Sequence, residues 1–398
     1  MRRYAGVILI VLVALNLRPA VVAVGPLLRQ IQHDLGLSGV AAGALTTLPV
    51  LFFGAFGLAA PLFRRNLRGE VLLVTSMFLL VVALLARVVP VQAALFGGAL
   101  LAGIAISIGN IAVPSIIKRD HPQAITTVTA VYTVAITAGA AISSAVVVPL
   151  EHAAHSSWRL PLVLLAIPAA VAGVAWLPRL RHGAPAAVAP EGGSPRVWRS
   201  ALAWHVTGFM GLQSMLAYVT SGWLPTICQD RGLSEAAGGY ALGLTSLLQA
   251  VGAFLVPVLE RRFRDQRPLV GIVAALCIVG FSGTVWAPAG SVWVWIVVLG
   301  LGQGVGFATA LSFIGLRASD THVTTQLSGM AQGIGYVIAA LGPLAIGAVH
   351  DATHGWSVPA VLVLAVSVVM LVPGLSAGRD RTIGDESLSG EARTSVAR

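Results

Sequence analysis

Residues 34 to 43 read DLGLSGVAAG, and residues 230 to 239 read DRGLSEAAGG. Further positions repeat at the same offset of 196 residues or at an offset of 198: Pro61 and Pro257, Arg65 and Arg261, Thr126 and Thr324, and Thr127 and Thr325. A chance repeat of an apolar composition does not explain why polar and proline positions match in register. The chain is therefore expected to contain two homologous halves in parallel order.

The composition indicates the medium in which these halves fold. Of the 398 residues, 57% are hydrophobic and only 10% are charged, which is far from the composition of an ordinary soluble domain. A helix needs roughly 20 apolar residues to cross the hydrocarbon core of a bilayer. The sequence predicts an all-α membrane protein with twelve transmembrane helices, at about 5 to 28, 40 to 62, 70 to 89, 92 to 117, 124 to 149, 159 to 177, 201 to 227, 236 to 259, 269 to 287, 292 to 315, 325 to 348 and 357 to 375.

The distribution of lysine and arginine sets the expected orientation. With both termini in the cytoplasm, 20 of the 25 basic residues lie on the cytoplasmic side, 4 lie on the opposite side, and Arg18 lies within a span. This bias follows the positive-inside rule and explains the basic net charge without a nucleic-acid partner. We expect a six-helix bundle at 1–178, a cytoplasmic linker at 179–198, a second six-helix bundle at 199–376 and a disordered cytoplasmic tail at 377–398.

The segment LNLRP, residues 15 to 19, places Arg18 near the middle of the first span. A charge at that depth costs roughly 2.5 to 3.5 kcal/mol on insertion scales, so it needs compensation. The 15 acidic residues all lie in predicted loops, at span ends or in the tail, and none lies at the depth of Arg18. Pro19 has no N–H to offer the carbonyl of Leu15, which predicts a kink and a free acceptor beside the arginine.

Two interpretations of Arg18 are open from the sequence. In the first, the guanidinium faces a water-filled cavity and takes its counterion, or a polar acceptor, from a substrate. In the second, backbone carbonyls, glutamines and asparagines hold it in a structural role. The first interpretation makes Arg18 the centre of a site for a small anionic or polar solute.

The repeat identifies residues of the second half that lie at the depth of Arg18. The offset of 196 places Ser214 there, so Gln213, Ser214 and, one turn further, Tyr218 are candidate substrate contacts. Each of these side chains has an alternative role, because membrane helices also use such groups for interhelical hydrogen bonds.

The remaining candidate substrate contacts are polar residues in the middle of other spans: Asn110, Tyr132, Gln332, Tyr336 and Asn16. Gln332 and Tyr336 share one helix face because they are four residues apart. Asn16 points away from Arg18 and is expected to be structural unless Pro19 unwinds the turn. Gln249 and Gln303 also lie in mid-span, and their role is left open.

Several segments resemble the cyanate and nitroimidazole transporter (CynX/NimT) branch of the major facilitator superfamily: LNLRPAVVAVGPLL, TTLPVLFFGAFGLAAPLFRR, PSIIKRDHP, GLQSMLAYVTSGWLP, GLSEAAGG and LSGMAQGIGYVIAALGPLAIGAVHD. Together they touch nearly the whole chain. The resemblance implies the major facilitator fold of two pseudo-symmetric six-helix halves, with a substrate cavity at midplane between them. It also places Arg18 in the substrate position.

The same resemblance implies gating residues in the loop after the second span. The superfamily motif is usually G-x-x-x-D-R-x-G-R-R, whereas this chain reads GLAAPLFRRNLRG, with Pro61 where the acidic residue is expected. The implied gate comprises one set of residues from each half: Pro61, Arg64 and Arg65, and Pro257, Arg261 and Arg262. The usual acidic latch is absent from this sequence.

These observations predict a secondary active transporter in the cell membrane. It would move a small anionic or polar solute, such as a cyanate-like anion or a nitroimidazole-like compound, by alternating access. The alternatives are a proton-coupled drug or multidrug efflux pump of the same superfamily and a non-transporting membrane sensor. An enzyme is disfavoured because the spans hold no nucleophile, metal cluster or carboxylate pair at one depth. We expect a monomer without cofactor or metal, and the direction and coupling of transport stay open.

Overall fold

The computed structural model describes residues 2–63, 68–153, 157–181, 195–263 and 265–383. These ranges form α-helices connected by short turns, with short 3-10 helices at Leu177–Arg181 and Ala289–Ser291. The α-helices are α1 (Arg2–Ala14), α2 (Pro19–Val22), α3 (Val24–Leu35), α4 (Gly39–Phe63), α5 (Gly69–Ala86), α6 (Gln92–Asp120), α7 (Ile125–Ala153), α8 (Arg159–Leu164), α9 (Ala166–Trp176), α10 (Pro195–Arg199), α11 (Ala201–Asp230), α12 (Glu235–Glu260), α13 (Arg267–Trp286), α14 (Val292–Leu316), α15 (Thr321–Thr353), α16 (Ser357–Val369) and α17 (Leu371–Ala377).

Eleven helical segments in the described ranges are long and apolar enough to cross a membrane. The predicted seventh span is the 30-residue helix α11, which is not among these eleven. Polar residues such as His205, Gln213 and Ser214 lower its hydropathy, and most of its residues are buried against neighbouring helices. A helix that faces protein rather than lipid does not need a fully apolar surface.

The first predicted span is interrupted at LNLRP, as expected from Pro19. Helix α1 ends at Ala14 and α2 begins at Pro19, so the proline occupies the first turn, where its missing N–H is not needed. Between them, the N–H groups of Asn16 and Leu17 bond to carbonyls only three residues back, at 3.0 and 3.2 Å. Arg18 therefore lies at a break in the helix.

The structure repeats one polar contact in the two halves. Arg119, at the end of α6, donates to the buried carboxylate of Glu70 at the start of α5. Arg317, which follows Arg119 by 198 residues, donates to Gln266 at the start of α13. Gln266 in turn follows Glu70 by 196 residues. The internal repeat seen in the sequence thus extends to this side-chain contact.

The two halves meet through α4 against α15, α7 against α12, and α3 against α11. The backbones approach closely: a Cβ placed on Gly43 of α4 would lie 2.6 Å from the carbonyl oxygen of Pro343 in α15. One buried apolar cluster lies entirely within the N-terminal half, and a larger one extends through both halves. The cavity described below lies between the two halves.

Of three predicted boundaries, one corresponds to a described turn, one differs, and one lies partly outside the described ranges. The gap between the predicted spans 269 to 287 and 292 to 315 corresponds to the turn between α13 and α14. The start of the predicted tail is folded, because Ile383 is buried and its N–H bonds to the Arg317 carbonyl at 2.8 Å. The rest of the tail, from residue 384, and residues 182–194 of the predicted linker lie outside the described ranges.

Candidate functional site

A cavity of about 400 Å³ lies between the two halves. The break at Arg18, α4, α6 and α7 line it from the N-terminal half, and α11, α12, α14 and α15 line it from the C-terminal half. Its volume falls in the range of small-molecule sites, about 300 to 1,000 Å³. The predicted candidates Arg18, Asn110, Tyr132, Gln213, Ser214, Tyr218, Gln332 and Tyr336 all line it.

Arg18 is the cationic residue of the cavity lining. Its side chain is half-buried, and within the described ranges it forms neither a hydrogen bond nor an ion pair. Tyr132, Tyr218 and Tyr336 line the same cavity. The guanidinium therefore shares the cavity with three phenols, and its hydrogen-bond donors are available to a bound molecule.

Several aromatic side chains line the same cavity as this guanidinium. The rings of Phe53 and Tyr336 lie 4.4 Å apart, and those of Tyr218 and Tyr336 lie 6.1 Å apart in an edge-on arrangement. The hydroxyl of Tyr132 donates to Oδ1 of Asn110 at 2.9 Å. Tyr132 and Asn110 are thus oriented by each other, and the ring faces offer a flat surface beside a positive charge.

Side-chain amides and hydroxyls form the opposite wall. Nε2 of Gln213 donates to Oγ of Ser214 at 2.7 Å. Gln249 and Gln303, whose role the sequence left open, also line the cavity and bond to each other at 2.9 Å. Gln303 continues the chain to Thr220 at 2.7 Å. This wall offers neutral donors and acceptors opposite Arg18.

Two of the predicted contacts have other partners. Asn16 does not line the cavity, because its side-chain nitrogen bonds to the carbonyls of Leu12 at 2.7 Å and Pro168 at 3.3 Å and so ties α1 to α9. Although the turn before Pro19 is broken, Asn16 does not face the cavity. Its contacts hold two helices together, which is the structural role described above. Gln332 lines the cavity while donating to Ser328 at 2.8 Å.

The cavity also includes residues that the sequence did not single out. Phe53, Phe307, Ser221 and Ser246 line it. No sequence signal distinguishes the two phenylalanines from lipid-facing ones. The two serines stand at ordinary helix positions, where a hydroxyl is as often satisfied by its own backbone: Ser246 bonds to the Leu242 carbonyl at 3.0 Å.

The implied gating residues are only partly described. Arg64 and Arg65 lie outside the described ranges. Pro61 belongs to the last turn of α4 and Pro257 to the last turn of α12. Arg261 and Arg262 follow α12 directly and are exposed. The described residues of this set lie at the end of the bundle where α1 begins and α17 ends, which we call the terminal end.

The halves are joined at the opposite end, which we call the closed end. There, Arg29 of α3 pairs with Asp230 of α11. Asp351 of α15 accepts hydrogen bonds from the backbone N–H groups of Gly39 and Val40 in α4 at 2.8 and 3.0 Å. Toward the terminal end the cavity lining includes exposed residues such as Thr133 and Leu311. Contacts between the halves thus close one end of the bundle, and the cavity lining reaches exposed residues toward the other end.

Comparison with protein families gives the context for this site. The family model described as Major Facilitator Superfamily matches residues 8–343. The 2-nitroimidazole transporter of Escherichia coli (strain K12) is 38% identical over 378 residues, covering 94% of this chain and 95% of that protein. The cyanate transport protein CynX of the same strain is 30% identical over 374 residues, covering 92% and 96%.

Solved structures share the architecture at low sequence identity. A bacterial homologue of the human lysosomal transporter Spinster superposes with a TM-score of 0.76 at 15% identity, over 95% of this chain and 97% of that one. At this identity the likeness concerns the fold alone. The two Escherichia coli relatives are named as transporters, and the match covers 95% and 96% of their lengths.

Proposed function

Because the chain belongs to the Major Facilitator Superfamily and its relatives are transporters rather than enzymes, we propose that it is a secondary transporter whose Arg18 binds a small anionic or polar solute. The observation that carries this proposal is the absence of a described partner for the Arg18 guanidinium. Arg18 is a cation in a cavity between the halves, and no described side chain pairs with it.

The energetics of a buried charge support this role. A charge at midplane is costly, and a structural arginine would recover that cost through a carboxylate or through several backbone carbonyls. Arg18 is near phenols, whose dipoles compensate a charge only in part. An anion, or the acceptor edge of a nitro or carboxylate group, would complete the site through charge-assisted hydrogen bonds.

The lining indicates the shape of the solute. Tyr218, Tyr336 and Phe53 form a patch of ring faces and edges next to the guanidinium, and such rings bind planar groups by offset stacking. The relatives are named for 2-nitroimidazole, a planar ring, and for cyanate, a triatomic anion. A planar ring with an anionic or nitro substituent would use both the arginine and the aromatic patch, whereas cyanate would use the arginine alone.

The orientation completes the proposal. Twelve crossings, with α11 as the seventh, would place both termini in the cytoplasm, in accord with the lysine and arginine bias. The terminal end would then face the cytoplasm, and the described conformation would be open to that side. Transport by alternating access in the cell membrane requires the closed end to part and the terminal end to seal around Arg18. We propose that the monomer is sufficient for this cycle, because the cavity is built from one chain.

The drug-efflux alternative is less well supported. Proton-coupled carriers commonly use a carboxylate inside the membrane. The acidic residues of the described helices lie near helix ends, as Asp34, Glu151 and Glu260 do, and none lines the cavity. Coupling through the substrate's own charge fits this arrangement better than coupling through an intramembrane acid.

Counterflow in proteoliposomes tests the proposal. The panel comprises cyanate, a planar aromatic carboxylate and 2-nitroimidazole. We expect saturable counterflow of at least one of them by the wild type, and its loss for the anions in Arg18→Ala. Removing a charge-assisted pair costs about 2 to 5 kcal/mol, which is at least a 30-fold loss of affinity.

Two further variants make this result specific. Arg18→Lys keeps the charge but loses the planar fork, so it should retain weak transport of the carboxylate. Arg199→Ala removes an exposed arginine outside the cavity and should transport at the wild-type rate. Anion counterflow by Arg18→Ala with an unchanged KM would refute the proposed role of the arginine.

A further inference from the structure

Three metal-ligating side chains from both halves converge at the closed end. Glu151 and His152 belong to the last turn of α7, and Glu235 begins α12. One ligand atom from each lies within 4.8 Å of the other two. Nε2 of His152 is 3.5 Å from Oε2 of Glu235. These residues are remote from the Arg18 cavity and have no role in the transport site proposed above.

Within the ranges that the structure describes, no arginine or lysine pairs with the carboxylates of this cluster. The nearby arginines are already paired with other carboxylates, Arg29 with Asp230 and Arg159 with Asp34. In the described ranges, Glu235 contacts only the neutral amide of Gln30, at 2.8 Å, and the imidazole of His152. Two carboxylates and one imidazole thus stand together with a net negative charge, which attracts a cation.

Unpartnered buried oxygens are a second, independent feature of the same place. Oε2 of Glu151 is buried and has no hydrogen-bond partner among the described residues, and the same is true of Oε1 of Gln30. A buried carboxylate oxygen without a donor is unfavourable unless something satisfies it. Both atoms belong to residues that line a cavity of about 490 Å³ with Glu235, which gives an ion and its waters access.

We propose that Glu151, His152 and Glu235 form a binding site for a divalent transition-metal ion such as Zn²⁺. Two carboxylates and one imidazole suit this ion, and three protein ligands leave a position for water. Ligand atoms around tetrahedral zinc stand about 3.3 Å apart, so the present spacing closes onto an ion through small side-chain rotations. Glu151 Oε2 then gains the partner that it lacks.

The position of the site gives the metal a consequence for transport. Glu151 and His152 belong to one half and Glu235 to the other, so the ligand set is complete only while the closed end is closed. An ion that binds the closed conformation more tightly than the open one shifts the equilibrium toward the closed conformation. Zn²⁺ should therefore inhibit transport. This consequence rests on the proposed function, whereas the binding itself does not.

Binding can be measured on the purified full-length protein without any transport assay. Thermal unfolding is followed in detergent with increasing Zn²⁺, and Co²⁺ is used separately for its visible ligand-field absorption. We expect Zn²⁺ to raise the Tm of the wild type. Glu151→Gln, Glu235→Gln and His152→Ala should each bind about tenfold more weakly or worse and lose the Co²⁺ absorption band.

The control is Glu260→Gln, which makes the same chemical change at the other end of α12 and should bind as the wild type does. The Tm of each variant without metal establishes that it is folded. Absence of a Zn²⁺-dependent shift in the wild type, or wild-type binding by both glutamate variants, would overturn the site.

Counterflow with and without Zn²⁺ then tests the consequence. Inhibition that disappears in Glu235→Gln supports the closure of this end by the ion. Zn²⁺ binding to a counterflow-competent wild type without inhibition would refute that step. Failure of the proposed function is distinguishable, because counterflow would then be absent before any metal is added.

Discussion

The two ends of the bundle use charge in different ways. At the closed end, Arg29 pairs with Asp230, and Nε2 of His152 lies 3.5 Å from Oε2 of Glu235; both contacts connect one half to the other. At the terminal end, Arg119 pairs with Glu70 and Arg179 with Asp120, and all four residues belong to the N-terminal half. In the described ranges, the ion pairs that cross between halves are confined to the closed end.

The solvent exposure of these pairs indicates how easily each of them can be broken. The side chains of Arg29 and Asp230 are 46% and 27% exposed, and those of Arg179 and Asp120 are 29% and 22% exposed. Glu70 differs, because its side chain is 2% exposed while that of Arg119 is 33% exposed. Exposed pairs contribute about 1 kcal/mol or less, whereas loss of Arg119 would leave the buried Glu70 carboxylate without a charged partner, which costs more. The pair that joins the halves can thus be broken and remade, whereas the Glu70 pair stabilises one half.

The largest effect should follow from making the contact at the closed end permanent. In a background with Cys228→Ser and Cys277→Ser, Arg29→Cys and Asp230→Cys are joined by a short bifunctional maleimide. Because alternating access requires these residues to separate, we expect counterflow to stop almost completely after cross-linking. The rate before the reagent is added provides the baseline.

The matched pair is Asp120→Cys with Arg179→Cys, which replaces an ion pair inside one half at the terminal end. The same reagent should leave its counterflow near the baseline, since these residues move together. Equal inhibition of both cross-linked proteins would mean that the two ends do not differ in the way that their ion pairs indicate.

A smaller effect is expected from two aspartates that cap helices. Asp351 accepts hydrogen bonds from the first N–H groups of α4, in the other half, whereas Asp320 accepts one from Val323 in its own helix α15, at 2.9 Å. Loss of an N-cap costs about 1 kcal/mol, so Asp351→Ala should raise the open-to-closed ratio at the closed end about fivefold.

The reporter for this shift is Ser221→Cys, a cavity position on the helix that packs against α3. Its labelling by a membrane-impermeant maleimide added on the closed-end side should accelerate about fivefold in Asp351→Ala. Asp320→Ala should lower thermal stability without changing the labelling rate, because its cap does not join the halves. Faster labelling in Asp320→Ala alone would contradict this distinction.

The features that the sequence predicts well are those encoded within one helix or by the repeat. Pro19 predicts the break at Arg18 because a missing N–H acts locally. The offset of 196 residues brings Ser214 and Gln213 to the cavity because the two halves are folded alike. The sequence thus predicts how deep a residue lies along its span. Helix geometry also predicts that Asn16 points away from Arg18.

The features that the sequence does not reveal depend on how the halves are docked. Glu235 comes from a segment far along the chain from Glu151 and His152, and each of the three looks like an ordinary residue at a span end. Phe53 becomes part of the cavity only because α4 packs against α15 and brings it to Tyr336. Such contacts between halves have no local sequence signal, so the cluster at the closed end and the position of Phe53 in the cavity are found only in the structure.

The smallest expected effect concerns pH and the cap inside one half. Hydrogen bonding from the Val323 N–H lowers the pKa of the Asp320 carboxyl below its ordinary value. A lowered folded-state pKa means that the cap stabilises the protein above the ordinary aspartate pKa of about 4 and loses this effect as the pH falls through the folded-state value. The difference in Tm between the wild type and Asp320→Ala should therefore be constant near neutrality and shrink below about pH 4. A difference in Tm that grows on acidification would show that the carboxylate does not cap α15. Because this cap lies within one half, neither result should alter the labelling of Ser221→Cys.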